Sequence, residues 1–247
     1  MTGTVSSLWR HPIKSHGREA LDKVTFRQGE TMPGDRVWAV AHEASKADDS
    51  AWSVCANFTR IAGSPALMAI TSALDELSGR VTLRHPDRPD LDFDPETETQ
   101  AYLDWIAPLL SGARAAPRRF VRVPGRGMTD SDFPSVTLCN MASHRAVEQR
   151  LGRPVSIHRW RGNLWFDGLP LWEEFDWMTR NVQIGEAIFR IQERTDRCIA
   201  TSANPETGRR DADLLEVLHH WGHEDFSVRA EVIEGGTVSI GDEVRLL

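Results

Sequence analysis

Thr195-Asp-Arg-Cys198, followed by Thr201-Ser-Ala-Asn-Pro-Glu-Thr-Gly208, sets a cysteine directly after an arginine, between a strand-like run and a Pro/Gly turn. Cationic charge beside a thiol favours the thiolate, the form that ligates metals and attacks electrophiles. A thiolate is also a soft ligand suited to a redox metal. Taken alone, these residues fit an inert, buried cysteine more readily, the commoner fate of a free thiol. Arg159-Trp-Arg-Gly-Asn163 reads as a strand end with two arginines on one face, a pattern suited to bidentate phosphate binding or to plain solvation. His11-Pro-Ile-Lys-Ser15, with Gly34-Asp-Arg36 later, offers a Lys-Ser pair for a phosphate. No GxxxxGK[ST] is present, so this is not a P-loop, and Asp35-Arg36 equally fits a local ion pair. Trp172-Glu-Glu-Phe-Asp-Trp177 reads as a solvated acidic edge rather than an acid–base pair. His219, His220 and His223 lack HExxH spacing and read as helix-end residues.

Composition bounds what these groups can serve. The chain has 247 residues, 40% of them hydrophobic, enough for one large or two joined domains. A formal charge of -7 excludes a broadly basic surface, so no nucleic-acid partner is expected. No apolar run approaches the roughly 20 residues of a membrane-spanning helix, and no secretory h-region opens the chain, so a cytoplasmic protein without a membrane partner is expected. Three cysteines (Cys55, Cys139, Cys198), with no CxxC, argue against a disulfide framework and against a four-thiolate metal site.

The elements that must position these groups are mostly short strands. Alternation and β-branched content predict strands over residues 3–9, 21–26, 36–41, 65–70, 79–83, 118–123, 136–139, 155–160 and 185–192, with Asp87–Asp90 a turn. Two more strands are expected in the tail, around Gly235-Gly236. Helical spacing appears over 98–110, 143–151 (ending at Gly152) and 214–221. Strands outnumber helices and lack regular strand–helix alternation. The expected fold is α+β and mainly β, barrel-like with peripheral helices. The small-residue stretch Ser111–Pro117 divides it into a strand-rich module at 1–115 and a second domain at 116–247.

The order of these motifs resembles the MOSC family, named for the C-terminal domain of molybdenum cofactor sulfurase. The resemblance spans nearly the whole chain. Val5-Ser-Ser-Leu-Trp-Arg-His-Pro-Ile-Lys-Ser15 with Gly34-Asp-Arg-Val-Trp38 resembles the family's N-terminal β-barrel module. Arg161-Gly-Asn163, Trp172–Trp177, Ile184-Gly185, Arg197-Cys198, Asn204-Pro-Glu-Thr-Gly208 and Gly241-Asp-Glu-Val244 resemble the domain proper. Arg-Cys before Pro-x-Thr-Gly is the most specific of these.

The family includes the mitochondrial amidoxime reducing component and bacterial relatives, in which a pyranopterin carries molybdenum. The resemblance implies a molybdenum cofactor here, with Cys198 as metal ligand and catalytic residue. It implies that Lys14, Ser15, Arg36, Arg161 and Asn163 hold the pterin phosphate and dithiolene end, that Arg197 flanks the ligand, and that Ser143 makes a further pterin contact. The implied activity is reduction of small N-hydroxylated substrates: amidoximes, hydroxylamines and N-hydroxylated bases. Electrons would come from a separate ferredoxin- or flavin-type protein, since the cysteines of an iron–sulfur domain are missing. The family's usual Arg-Pro-Asn is Arg161-Gly-Asn163 here, which implies a looser turn. A second reading is a non-catalytic carrier of the cofactor or of activated sulfur, with Cys198 bearing a persulfide. A third is a small-ligand-binding β-barrel with a structural Cys198.

Overall fold

A computed structural model describes residues 2–112 and 114–247; Met1 and Ala113, the latter inside the expected linker, lie outside the described residues. The first half contains β1 (Gly3–Arg10), β2 (Glu19–Leu21), β3 (Lys23–Phe26), β4 (Ala39–His42), β5 (Thr71–Leu74), β6 (Val81–His85), β7 (Arg88–Phe93), α1 (Thr99–Ile106) and β8 (Pro117–Val121). The second contains β9 (Val136–Asn140), α2 (Met141–Leu151), β10 (Leu164–Asp167), β11 (Asn181–Ile184), β12 (Ala187–Asp196), α3 (Leu214–His219), β13 (Asp225–Glu234), β14 (Gly236–Ser239) and β15 (Glu243–Leu246).

Seven strands close into a barrel in the order β10-β9-β13-β12-β11-β15-β1, with β1 pairing back onto β10. Alternation along the long strands drives this. Ala187, Phe189 and Ile191 of β12, with Val228, Ala230 and Val232 of β13, point one way and are buried, while Arg190 and Arg229 fall between them. The interior is filled by side chains such as Val5, Leu8, Leu138, Phe166, Phe189 and Val244, as a barrel of this small size must be. The barrel interior is core.

The pair β9–β10 is parallel, whereas β10 meets β1 antiparallel. Parallel neighbours need a crossover. Here α2 and the turn carrying Arg159–Asn163 supply it. Asn140 caps α2 by accepting from Ala142 N at 2.9 Å, and Gly152 ends it at φ +80°. A second core, around Trp38, Leu67, Leu83, Phe93, Tyr102 and Trp105, is built under β4–β8, β5-β6-β7 and α1. The two halves of the sequence interlock. β1 belongs to the barrel, β3 pairs with β14, and β8, beyond residue 115, pairs with β4.

Three expected elements differ. Pro65–Ala69 is a 3-10 helix rather than a strand; its proline lacks the N–H a ladder needs and sits in the first turn. Ile157–Trp160 is a 3-10 turn as well, with the Ser156 hydroxyl accepting from His158 N at 3.2 Å. The turn expected at Asp87–Asp90 is shorter, since Arg88 already opens β7. Strands β5, β10 and β11 carried no legible signal; Leu164–Phe166 of β10 is buried on both faces and shows no alternation. Among the described residues no helix is long and apolar enough to cross a membrane, which says nothing of membrane β-barrels.

Candidate functional site

A cavity of about 250 Å³ opens where the barrel meets the N-terminal module. Its lining includes Lys14, Ser15, Arg36, Arg161, Arg197 and Cys198, all singled out from the sequence. Asn163 and Ser143 do not reach it. Buried Asn163 accepts from Thr137 N and donates to Trp9 O, both at 3.1 Å, and so ties β9 to β1 behind the cavity. Ser143 is buried elsewhere, donating to Glu174 at 2.8 Å and accepting from Trp172 N at 3.1 Å. Sequence reasoning missed Cys55, Arg60, Asp130, Ser135 and Arg229, which also line the cavity. No local pattern marks them, because only the docking of the two halves brings them there.

The wall is cationic. Seven lining side chains are Lys or Arg (residues 14, 36, 60, 159, 161, 197 and 229) against two carboxylates, Asp130 and Asp196, in a chain of net charge -7. Such a concave cationic surface focuses field on anions. Lys14 donates to Met128 O at 2.7 Å and to Asp130 at 2.6 Å. Burial pushes the Lys14 ammonium down from its usual range, and Asp130 opposes that shift. Arg36 is ion-paired to the buried Asp35 and donates to Arg161 O at 3.0 Å. Arg161 donates to Gly17 O at 3.1 Å and leaves its second guanidinium nitrogen buried without a partner among the described residues. Burial, with Arg36 nearby, pushes Arg161 down to about 9. Arg159 Nε and Thr195 Oγ1 also lack partners among the described residues.

The backbone carries strain at the same place. Ser15 (φ +65°), Arg36 (φ +51°) and Arg161 (φ +50°) are left-handed without being glycine. Each costs about 1–3 kcal/mol, and such residues cluster where ligands bind. Ser15 sits at the tip of a turn closed by His16 N donating to Ile13 O at 3.0 Å, and Lys14 N donates to Trp38 O at 2.8 Å.

Cys198 caps a 3-10 turn, Ile199–Ser202, and is exposed. An inert core cysteine is thereby excluded. Thr201 donates to Cys198 O through both its N–H and its hydroxyl, each at 3.1 Å. Arg159 grips the far end of that turn through Thr201 O (3.2 Å) and Ser202 O (3.0 Å), and pairs with Asp211. Asn204–Gly208 then folds back, and Gly208 is obligatory there. It has φ +66°, and a Cβ would lie 2.6 Å from Ala66 Cα. The Arg197 guanidinium is spent on hydrogen bonds to the protein. It donates to Trp160 O (2.8 Å), to Phe226 O (3.0 and 2.6 Å) and to Ser227 Oγ (2.6 Å), and burial pushes it down to about 10.

The turn at Arg161-Gly-Asn163 leaves no room for a side chain at Gly162. A Cβ on Gly162 would fall 2.1 Å from Cys139 Sγ, so the cysteine side chain occupies the space beside the turn. Cys139 is wholly buried, and burial pushes its thiol up to about 12. Among the described residues no cluster of three or more His, Cys, Asp or Glu could hold a metal ion by itself.

A model of the MOSC domain matches residues 128–245, and one of the MOSC N-terminal beta barrel domain matches residues 2–106. The chain belongs to the MOSC family. The family takes its name from a domain of molybdenum cofactor sulfurase, and its link to that cofactor suits a cavity with surplus positive charge and an exposed thiol. No match is found among curated proteins. The YuaD protein of Bacillus subtilis is 14% identical over 100% of this MOSC chain and 96% of its own, with a TM-score of 0.48. YiiM from Geobacillus stearothermophilus is 18% identical, with 45% of this chain matched to 53% of that one and a TM-score of 0.37. YiiM from Escherichia coli is 17% identical over the same shares, at 0.35. None of these likenesses bears on what the cavity holds.

Proposed function

We propose that this chain binds a molybdenum–pyranopterin cofactor in the cationic cavity and reduces small N-hydroxylated compounds, taking electrons from a separate ferredoxin- or flavin-type protein. The observation that carries the reading is the pairing of an exposed thiol with buried guanidinium and hydroxyl groups, on Arg159, Arg161 and Thr195, that have no partner among the described residues. A buried polar group without a partner costs about 1–3 kcal/mol. A ligand rich in acceptor oxygens and sulfurs removes that cost, and the donor set fits such an anion. When bound, the cofactor supplies two-electron redox chemistry suited to removing oxygen from an N–OH group.

The chain's own residues hold and orient. Cys198 would give the protein thiolate to the metal. Lys14, Ser15, Arg36 and Arg161 would surround the anionic end, Arg as planar donor and Lys as point charge. Lys14 is held ready by Asp130, an exchangeable partner half exposed to solvent. Arg159 and Arg197 fix the loop on both sides of the thiol and so set where it points. Asn163 acts one layer back, by holding β9 against β1.

A carrier of cofactor or sulfur is the second reading, favoured by the exposure of Cys198 at a cavity mouth. One experiment separates them. With a supplied donor, the purified protein is expected to reduce benzamidoxime, and Cys198→Ala to lose at least about a hundredfold in rate with an unchanged melting curve. Equal rates in the two proteins contradict the ligand assignment. A cyanide-labile sulfur on Cys198 without turnover supports the carrier.

A further inference from the structure

The cavity holds a second thiol. Cys55 opens the 3-10 turn Cys55–Asn57 on the N-terminal side, opposite in sequence to the barrel loop that brings Cys198. It is half-buried, and Arg60 Nη1 donates to its sulfur at 3.2 Å. Arg60 lines the cavity too, and among the described residues no carboxylate pairs with it. A second observation marks the space as built for a ligand. Arg159 and Thr195, only 2% and 4% exposed, line it and keep polar atoms without partners among the described residues. The surplus of positive charge says that the ligand is anionic.

We propose that Cys55 is a redox-modifiable thiol that exchanges with anionic low-molecular-weight disulfides, and that the mixed disulfide fills the cavity and shuts out the anion that otherwise binds there. The inference rests on the cavity and its charge, not on which anion is the resident one. In the exchange, the deprotonated Cys55 sulfur attacks one sulfur of the disulfide. A new S–S bond forms, the old one breaks, and the departing half leaves as a thiolate that takes up the proton Cys55 gave. Cys55 is oxidised to the disulfide level, and half of the reagent is reduced to thiol. The lining cations raise the local concentration of the anionic reagent, and a 250 Å³ space leaves little room beside a tripeptide adduct.

The test uses the full chain carrying Cys198→Ser, so that Cys55 is the one accessible thiol, and follows adduct mass and position over time. Glutathione disulfide is the anionic probe and cystamine the cationic one. Glutathione disulfide is expected to modify Cys55 about tenfold faster at low salt, an advantage that added salt erodes. Arg60→Gln is expected to reduce that rate about tenfold. Freed of reagent, the adduct is expected to bind inorganic phosphate more weakly than the unmodified protein in calorimetry. An unreactive Cys55, equal rates with the two probes, or phosphate binding unchanged by the adduct overturns the proposal. If the unmodified protein binds no phosphate, the occlusion falls; the rate comparison still decides whether Cys55 is a reactive thiol, and molybdenum and pterin content separately decides the cofactor reading.

Discussion

Two clusters of buried polar side chains contain residues picked out from the sequence, and they differ in whether their hydrogen bonds are spent. Around Ser143, the side chains of Asn140, Ser143 and Glu174 close on one another and on the backbone. Asn140 donates to Pro170 O (2.7 Å) and to Glu174 (2.8 Å), Ser143 donates to the other Glu174 oxygen (2.8 Å), and Trp172 N donates to Ser143 (3.1 Å). Around Arg161, donors of Arg159, Arg161 and Thr195 are left over among the described residues. A saturated cluster stabilises the fold and asks nothing of a ligand. An unsaturated one is stable only because the surrounding chain enforces it. Burial of polar groups therefore marks structure as often as it marks a site, and unspent guanidinium and hydroxyl groups that line a cavity are what separate them.

Arg197 lines the cavity yet belongs with the closed cluster, because all of its bonds are made to the protein. Arg197→Ala is expected to cost the most, about 3 kcal/mol, by stranding Trp160 O and Phe226 O. Chemical denaturation checks this, and a loss under about 1 kcal/mol would place Arg197 with the ligand-facing group instead.

Glu174 tests the closed cluster itself. Burial raises its carboxyl to about 7 from 4.5, against the pull of its hydrogen bonds from Asn140 and Ser143. The folded state thus keeps a proton that the unfolded chain gives up. The stability this contributes is full below about 4.5 and is lost as pH rises through about 7. Glu174→Gln should be more stable than the parent at pH 8 by about 1–3 kcal/mol and equal to it near pH 4. Parallel stability–pH curves for the two proteins would show that Glu174 is ionised in the fold.

Arg161 gives the smallest change in stability and the clearest contrast. Its charge is disfavoured by burial and by Arg36, and it donates to one carbonyl only. Arg161→Gln is expected to shift stability by no more than about 0.5 kcal/mol while weakening phosphate binding about tenfold. A large loss of stability with unchanged phosphate affinity would reverse the assignment of the two clusters.

The mainly-β class, the N-terminal strand, the capped helix α2 and the β-rich tail were legible in sequence, because period-2 alternation and capping residues are local signals. Elements set by tertiary context were not. Ile157–Trp160 has strand-like residues, but its side chains pack into the layer over α2 and α3 as a 3-10 turn. The motif resemblance pointed to Lys14, Ser15, Arg36, Arg161 and Arg197-Cys198, and these converge. It pointed to Ser143 as well, which faces Glu174 instead of the cavity. Cys55 and Arg60 carried no motif; two residues five apart in an irregular loop become neighbours of the barrel loop only when the two halves dock.

Under the proposed function, the unspent donors and Cys198 together hold a molybdenum cofactor. The most direct test is the molybdenum and pterin content of the purified full chain beside Cys198→Ala. The account predicts equal molar molybdenum and pterin in the parent, and a molybdenum loss in the variant while the fold is kept. A parent without molybdenum or pterin after expression in a host that makes the cofactor, or a variant that retains molybdenum at the parent's level, would contradict it.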